Sequence, residues 1–182
     1  MKEIILKKLN NLKGKRVGVL GDIILDKYTT GDVKRISPEA PVPVLKVDKT
    51  FFKLGAAANV SKNIRSMGGN PILIGLVGED EGGKRVEELL RKSGIEPSHL
   101  IKRDSFETNV KERLVALNQQ LLRVDYDPPK NQYKLAQSVV ERLRAIELDG
   151  LILDDYNKGF LKKGLVDEVL SYCGENNIPV IA

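Results

Sequence analysis

The residues that could do chemistry here are carboxylates, an amide and several cations, and most of them follow apolar or small-residue runs. Asp22 and Asp26 follow the apolar run 16–20, the polar stretch 154–158 follows a second apolar run, and Asn59 follows a run of small residues. Carboxylate and amide side chains offer paired acceptors and donors, which suits the hydroxyl groups of a sugar. Asp22 could equally serve as a helix cap or in a salt bridge, so both interpretations stay open.

Cations that could bind a phosphate group are also present. Arginine and lysine are the side chains that phosphate recognition requires, and the candidates are Arg35, Arg113, Arg123 and Lys158. A net charge of +5 suits anionic small molecules. Each arginine could instead be an ordinary solvated charge.

Several kinds of catalytic site are excluded by the motifs the sequence lacks. It contains neither a Gly-x-x-x-x-Gly-Lys-Ser/Thr phosphate loop nor a Gly-x-Ser-x-Gly elbow. With one histidine (His99) and one cysteine (Cys173), it has no zinc-ligand spacing. His99 is therefore expected to be a surface or packing residue, and no metal ligand is assigned.

The stretch 54–69 combines small residues with the start of a helix. Gly55 and the three alanines after it allow close backbone approach to a ligand, and Asn59 follows them. A helix start exposes N–H groups and the positive end of the helix dipole. A tightly packed helix start without a ligand is the alternative.

The elements that must position these residues form an α/β pattern. Near-continuous apolar runs at 16–20, 71–77, 150–153 and 178–182 predict buried parallel strands, and amphipathic helices are predicted between them. This alternation predicts a doubly wound, mostly parallel sheet with ligands beyond the carboxyl ends of its strands. Cys173 is expected in the core.

Two further segments predict a smaller sheet apart from the main one. The segment 29–52 contains Pro38, Pro41 and Pro43, which restrict it to an edge strand or an extended flap. The segment 109–125 predicts a hairpin whose turn is residues 118–120.

Composition and chain ends bound the remaining possibilities. Interleaved charges indicate no nucleic-acid tail, and no apolar stretch is long enough to span a membrane, so a cytoplasmic protein is expected. Residues 4–12 predict a short amphipathic helix rather than a signal peptide. No helix follows the last strand, so the domain is expected to be incomplete at its C-terminus.

Taken together, these residues resemble the ribokinase-like sugar kinases, and more closely the heptose-7-phosphate kinase domain of the bifunctional ADP-heptose synthase family of lipopolysaccharide biosynthesis. The motifs that carry the resemblance run in order along almost the whole chain: Gly21-Asp-Ile-Ile-Leu-Asp-Lys-Tyr28, Arg35-Ile-Ser-Pro-Glu-Ala-Pro-Val-Pro-Val44, Gly55-Ala-Ala-Ala-Asn-Val60, Asn118-Gln-Gln-Leu-Leu-Arg-Val-Asp125 and Asp155-Tyr-Asn-Lys-Gly159.

The resemblance implies that residues 1–182 are the N-terminal part of one ribokinase-like kinase domain. A β-sheet lid at about 28–52 and 109–125 would close over a heptose phosphate and form a homodimer. By position, Asp26 would bind sugar hydroxyls, Gly55 and Asn59 would line the sugar site, and Lys158 would meet the phosphorylated end.

Two departures from the family pattern bear on activity. Ala56 stands where the family usually has a second glycine, and the Gly-Ala-Gly-Asp motif with the catalytic aspartate is absent. The family uses ATP and Mg²⁺, but the residues that bind them belong to the missing part. The chain alone is therefore expected to contain no catalytic residue, to bind neither ATP nor Mg²⁺ well, and to have little kinase activity.

Two other hypotheses remain open. The first is a non-catalytic fragment that survives as a lid-mediated dimer or scaffold. The second is an unrelated α/β nucleotide-binding module, for which a mononucleotide at the Gly55 loop would be the sign.

Overall fold

The structure, a computed structural model, describes residues 10–129 and 136–182. The strands in these ranges are β1 (Arg16–Gly21), β2 (Ile23–Ile36), β3 (Pro43–Gly55), β4 (Asn70–Ile74), β5 (Leu76–Gly78), β6 (Ile101–Arg103), β7 (Asn109–Ala116), β8 (Gln119–Tyr126), β9 (Gly150–Asp154) and β10 (Val180–Ile181). The helices are α1 (Ala56–Ser66), α2 (Glu81–Lys92), α3 (Ala136–Arg144) and α4 (Lys163–Glu175). The helix predicted at residues 4–12 lies largely outside the described ranges.

The main sheet has the strand order β10-β9-β1-β4, and every pairing in it is parallel. Successive residues of β1 face opposite sides, and both Val19 and Leu20 are fully buried. Val19 packs in one core with residues of α1 and α2. Leu20 packs in a second core with residues of α3 and α4, among them the buried Cys173. The predicted doubly wound sheet is confirmed, and its two buried faces explain the near-continuous apolar runs.

The strand predicted at 71–77 is divided in two by Gly75. β4 belongs to the main sheet, but β5 pairs with β6 in a separate two-stranded sheet. A Cβ at Gly75 would lie 2.6 Å from the Ile23 side chain and 2.7 Å from the Gly21 carbonyl oxygen. Only glycine permits this close approach where the chain leaves the main sheet.

A second sheet, the lid, consists of β2, β3, β7 and β8 in the order β3-β2-β7-β8. β2 pairs antiparallel with β3 and parallel with β7, and β7 pairs antiparallel with β8. β3 is an edge strand, as predicted; it begins at Pro43, whereas Pro38 and Pro41 precede it. β2 begins at Ile23, so Asp26 lies on a lid strand near the main sheet.

The turn between β7 and β8 differs from the prediction. The turn residues are Leu117 and Asn118, with φ values of 49° and 64°, and Gln119 and Gln120 already belong to β8. A two-residue turn with both φ values positive matches the twist of a hairpin, and asparagine tolerates that conformation well. The predicted three-residue turn at 118–120 was therefore wrong by one residue at its start and two at its end.

The start of the lid strand β7 is joined to α2 by hydrogen bonds to Asp80. Its carboxylate accepts hydrogen bonds from the Gly83 N–H, the Thr108 N–H and the Thr108 hydroxyl, each at 2.7 Å. The Thr108 hydroxyl oxygen in turn accepts from the Gly78 N–H at 2.9 Å. One carboxylate therefore caps a helix and holds the residue that precedes β7.

No helix within residues 10–129 or 136–182 is long and apolar enough to cross a membrane.

Candidate functional site

An ion pair between Asp26 of β2 and Arg113 of β7 is the centre of the candidate site. Arg113 Nη1 lies 2.5 Å from Asp26 Oδ1, and the two side chains are only 22% and 18% exposed. Burial alone would lower the pKa of Arg113, but the hydrogen bond and charge of Asp26 outweigh it and raise that pKa. Arg113 is therefore charged and fixes one oxygen of the carboxylate.

Gly55 faces the other oxygen of Asp26. A Cβ at Gly55 would lie 2.8 Å from Asp26 Oδ2 and 3.1 Å from the Ile24 carbonyl oxygen. A larger residue would therefore displace the carboxylate from this position. Asp26, Gly55 and Arg113 together are called the cradle.

Ala56 begins α1 in a left-handed conformation, with φ at 46°. Such a conformation costs an L-residue about 1–2 kcal/mol. The sequence expectation that a missing second glycine matters at this position thus corresponds to backbone strain, although the turn still forms. The next residue, Ala57, donates its N–H to the Asp22 carbonyl oxygen at 3.1 Å.

Residues 155–159, the strand-end loop, follow β9 and are held by Asp22. The Tyr156 and Lys158 N–H groups donate to Asp22 Oδ2 at 2.9 and 3.1 Å. Asn157 lies between them with φ at 54°, and its own N–H donates to the Asp155 carboxylate at 2.7 Å. These bonds give the loop a defined shape against the end of β1.

Lys158 also joins the strand-end loop to the lid. Its Nζ lies 2.5 Å from Asp127 Oδ2, just beyond β8, and the lysine side chain is 15% exposed. Lys111 of β7 makes a second contact, with its Nζ 5.7 Å from the centre of the Tyr156 ring. The loop and the lid thus contact each other through charged and aromatic side chains.

Two carboxylates, the buried Asp22 and the half-buried Asp154, lie where β1 and β9 end. Burial raises the pKa of Asp22 most strongly, against the N–H groups of Lys158, Tyr156 and Phe160, which lower it. Burial also raises the pKa of Asp154, and the negative charges of Asp22 and Asp155 raise it further. The charged form of both carboxylates is therefore disfavoured at this position.

Two lysines of the lid were missed by sequence reasoning. Lys53 and Lys111 oppose Asp26 in the β3 and β7 registers, so all three share one face of the lid with Arg113. Lys53 Nζ lies 4.9 Å from the centre of the Tyr28 ring. The period-two alternation from Arg113 could have identified Lys111, but Lys53 required the register between strands.

The remaining predicted site residues lie outside the cradle. Asn59 is exposed on the first turn of α1, and Arg123 pairs with Asp125 at 2.8 Å. Arg35 is exposed near the end of β2, about 30 Å along the strand from Asp26 at 3.3 Å per residue. The structure therefore brings together Asp26, Gly55 and Arg113, while ligand contacts by Asn59, Arg35 and Arg123 stay predictions.

The described residues do not provide a metal site. Within 10–129 and 136–182, no three His, Cys, Asp or Glu side chains converge closely enough to hold a metal ion. These residues therefore do not by themselves fit the Mg²⁺ that the family resemblance implies.

A doubly wound sheet, a four-stranded lid and an aspartate–glycine cradle where they join define a class of protein. Residues 16–176 match the pfkB family of carbohydrate kinases, and the chain belongs to that family. The resemblance to sugar kinases is confirmed.

Two individual relatives show how similar this chain is to known proteins and how much of their length it covers. The D-beta-D-heptose 7-phosphate kinase of Bordetella bronchiseptica is 38% identical over 169 residues, which cover 91% of this chain and 52% of that protein. The bifunctional protein HldE of Helicobacter pylori is 39% identical over 168 residues, covering 90% of this chain and 36% of that protein. The chain thus spans about half, or less, of the length of these relatives.

Solved structures show the same fold at low sequence identity. A carbohydrate kinase from Agrobacterium tumefaciens superposes with a TM-score of 0.70 at 19% identity, covering 91% of this chain and 52% of that one. Phosphofructokinase-2 from Escherichia coli, in complex with fructose-6-phosphate, gives 0.68 at 20% identity, covering 92% and 54%. The predicted ribokinase-like fold class is therefore confirmed.

Proposed function

We propose that this chain is the sugar-binding, N-terminal part of a kinase that phosphorylates D-glycero-D-manno-heptose 7-phosphate at its anomeric position with ATP, in the cytoplasm, toward ADP-heptose. Its family and its 38–39% identical relatives, one of which is named a heptose 7-phosphate kinase, support this proposal. The single observation that carries it is the cradle, in which Arg113 pairs with one oxygen of the Asp26 carboxylate and the other oxygen lies beside the backbone of Gly55.

In this proposal the cradle binds the sugar. Arg113 occupies Asp26 Oδ1, which leaves Oδ2 beside Gly55 as an acceptor for sugar hydroxyl groups. Lys53, Lys111 and Lys158 supply positive charge near the cradle, and such charge attracts the 7-phosphate. Asn59 would complete the sugar contacts from the first turn of α1.

The transfer step is assigned to residues outside this sequence. Phosphoryl transfer depends on positioning and on stabilisation of charge. The family places the catalytic base on a Gly-Ala-Gly-Asp segment, which this sequence lacks, and the nucleotide site in the part of the domain that the chain does not contain. ATP and Mg²⁺ are therefore proposed for the complete enzyme, and little activity is proposed for this chain alone.

Calorimetry on the purified chain tests this function. Heptose 7-phosphate is expected to bind, and ATP is expected to bind at least about 100-fold more weakly, a difference of about 2.7 kcal/mol. Fructose 6-phosphate serves as the control for sugar specificity. Tight ATP binding without heptose 7-phosphate binding would contradict the proposal and favour a nucleotide-binding module.

A second candidate, a lid-mediated homodimer, is favoured by apolar side chains that the lid exposes. The large hydrophobic side chains at least 44% exposed on the lid strands and the turns between them are Ile36, Val42, Val47, Leu117, Leu121, Leu122 and Tyr126. Most of the exposed large apolar side chains among the described residues lie in this part of the chain, which favours it as an interaction surface. A second copy of the lid is proposed as the partner, and this pairing is compatible with sugar binding or with a purely structural role.

Light scattering at micromolar concentration is expected to give the mass of two chains. Leu122→Glu places a charge in the lid surface and is expected to weaken the dimer at least about 100-fold, because burial of an unpaired charge costs several kcal/mol. Leu170→Glu is the matched control, since Leu170 is 45% exposed on α4, away from the lid. A monomeric wild-type chain would rule out this dimer.

A further inference from the structure

Asp22 is a buried residue that contacts both the start of α1, next to the cradle, and the strand-end loop. It is 2% exposed and lies between β1 and β2. Its carbonyl oxygen accepts the N–H of Ala57, two residues beyond Gly55 of the cradle, at 3.1 Å. Its Oδ2 accepts the Tyr156 and Lys158 N–H groups of the strand-end loop at 2.9 and 3.1 Å.

We propose that Asp22 is a positioning residue that fixes the strand-end loop relative to the cradle and so determines how strongly the site prefers a phosphorylated over an unphosphorylated sugar. This inference rests on the function proposed above, and it assigns Asp22 a part in substrate selection. Asp22 acts through the loop and contacts no substrate itself.

The geometry of the loop explains why Asp22 can have this effect. The Tyr156 and Lys158 N–H groups, which donate to Asp22 Oδ2, flank Asn157, whose φ of 54° is a left-handed conformation that asparagine adopts readily. The second of them belongs to Lys158, whose side chain carries the positive charge of the loop. Loss of the carboxylate releases both N–H groups and frees the backbone that places this ammonium group.

The position of Lys158 depends on two anchors of different kinds. Asp22 holds its backbone, while Asp127 holds its Nζ at 2.5 Å. The Asp127 pair lies at the end of the lid and is available for exchange when a phosphate arrives, because one anion can replace another at the same ammonium group. The buried Asp22 anchor has no such competitor, so it keeps the loop in place during the exchange.

A buried carboxylate at position 22 is electrostatically unfavourable. Asp22 Oδ1 is buried without a hydrogen-bond partner among the described residues, and the same is true of Asp154 Oδ2. An amide oxygen could accept the two loop N–H groups with less desolvation. Anchoring of the loop therefore requires an acceptor at Oδ2 but not the negative charge, which allows the two properties to be separated experimentally.

The test compares Asp22→Ala, which removes the acceptor, with Asp22→Asn, which keeps it. Calorimetry measures the Kd of heptose 7-phosphate and of unphosphorylated heptose. Asp22→Ala is expected to raise the first Kd at least about 10-fold and the second by less than about 3-fold, whereas Asp22→Asn stays within about 3-fold for both. Equal weakening of both sugars by Asp22→Ala, or no weakening, would overturn the proposal.

A double-mutant cycle tests whether Asp22 acts through Lys158. In a Lys158→Met chain, Asp22→Ala is expected to change the ratio of the two Kd values by less than about 2-fold, because the group it positions is gone. An undiminished effect in that background would show that Asp22 acts elsewhere. Urea midpoints establish that each variant is folded, and Asp22→Leu, which also has no acceptor, replaces Asp22→Ala should the alanine variant not fold.

Amide hydrogen exchange separates this inference from the proposed function. The Tyr156 and Lys158 amides are expected to exchange at least about 10-fold faster in Asp22→Ala than in the wild-type chain or Asp22→Asn. If the wild-type chain binds neither sugar, the proposed function and the selection role both fail, while these exchange rates still decide whether Asp22 positions the loop. Unchanged exchange rates would refute the positioning as well.

Discussion

Replacing Asp26 with alanine is expected to weaken binding of heptose 7-phosphate by at least about 100-fold, or about 2.7 kcal/mol. Two losses add to produce this effect. Hydrogen bonds to a charged group contribute about 1.5–3 kcal/mol, and Asp26 Oδ2 is the proposed acceptor for the sugar hydroxyls. Arg113, only 22% exposed, would also lose its carboxylate partner, and its released guanidinium group would occupy the cradle. Calorimetry with heptose 7-phosphate measures the effect.

Asp32→Ala is the matched control for Asp26→Ala. Asp32 lies on the same strand and pairs with Lys34 at 3.3 Å, where the two side chains are 44% and 80% exposed. Exposed pairs of this kind contribute about 0–1 kcal/mol to stability, and Asp32 has no part in the cradle. Its replacement is expected to leave the Kd within about 2-fold of the wild-type value. If Asp26→Ala bound the sugar as tightly as Asp32→Ala, the cradle would not be the sugar site.

Gly55→Ala tests the same cradle without removing a functional group. The added Cβ would lie 2.8 Å from Asp26 Oδ2, so the carboxylate must move or the backbone must shift. Sugar binding is expected to weaken at least about 10-fold. Gly164→Ala is the control, because a Cβ at that glycine of α4 meets no atom within 4 Å.

The architecture was predictable because it depends on local patterns. The runs at 16–20 and 150–153 are apolar because β1 is buried on both faces and β9 is buried on one face and half-buried on the other. That pattern is visible without knowing their partners. The prolines at 38–43 predicted an edge strand or an extended flap for an equally local reason, the missing N–H group, and they lie between the end of β2 and the first residue of the edge strand β3. Cys173 in the core follows from its helix period.

The geometry of the site was not predictable because it depends on contacts between distant residues. Asp26 and Arg113 are 87 positions apart, and Asp22 and Tyr156 are 134 apart. Arg35 carries the same charge as Arg113, and only the length of β2 shows that it lies far from the cradle. The family resemblance identified Asp26 and Gly55, but the contact of the Gly55 backbone with the carboxylate required the β2–β3 register.

The Asp80 network shows why local signals alone underestimate some residues. Asp80 is the N-cap of α2, and its carboxylate accepts the Gly83 N–H. Its two bonds to Thr108 join it to a residue 28 positions away, at the start of the lid. The same carboxylate is thus a local cap and a long-range connection, and its removal should affect both.

Asp80→Ala is expected to lower the free energy of unfolding by about 3 kcal/mol at pH 7, because a helix cap contributes about 1 kcal/mol and each buried donor left unpaired costs about 1–3 kcal/mol. Thr108, which is 3% exposed, would lose the acceptor for both its N–H and its hydroxyl group. Urea unfolding measures the loss. Asp167→Ala, at an exposed aspartate of α4, is the control and is expected to change stability by less than about 0.5 kcal/mol.

The pH dependence of the stability lost in Asp80→Ala separates the contribution of the Asp80 charge from that of its packing. Burial alone would raise the Asp80 pKa, but the bonds from the Thr108 and Gly83 N–H groups and the Thr108 hydroxyl outweigh it and lower the pKa below its ordinary value of 3.8. A carboxylate with a lowered pKa in the folded state stabilises the fold above its unfolded pKa, and this contribution is lost as the pH falls through the lowered value. The difference between wild type and Asp80→Ala should therefore be largest near pH 7 and shrink below pH 3.8. A difference that stayed constant down to pH 2 would mean that the carboxylate charge contributes nothing to the connection between α2 and the lid.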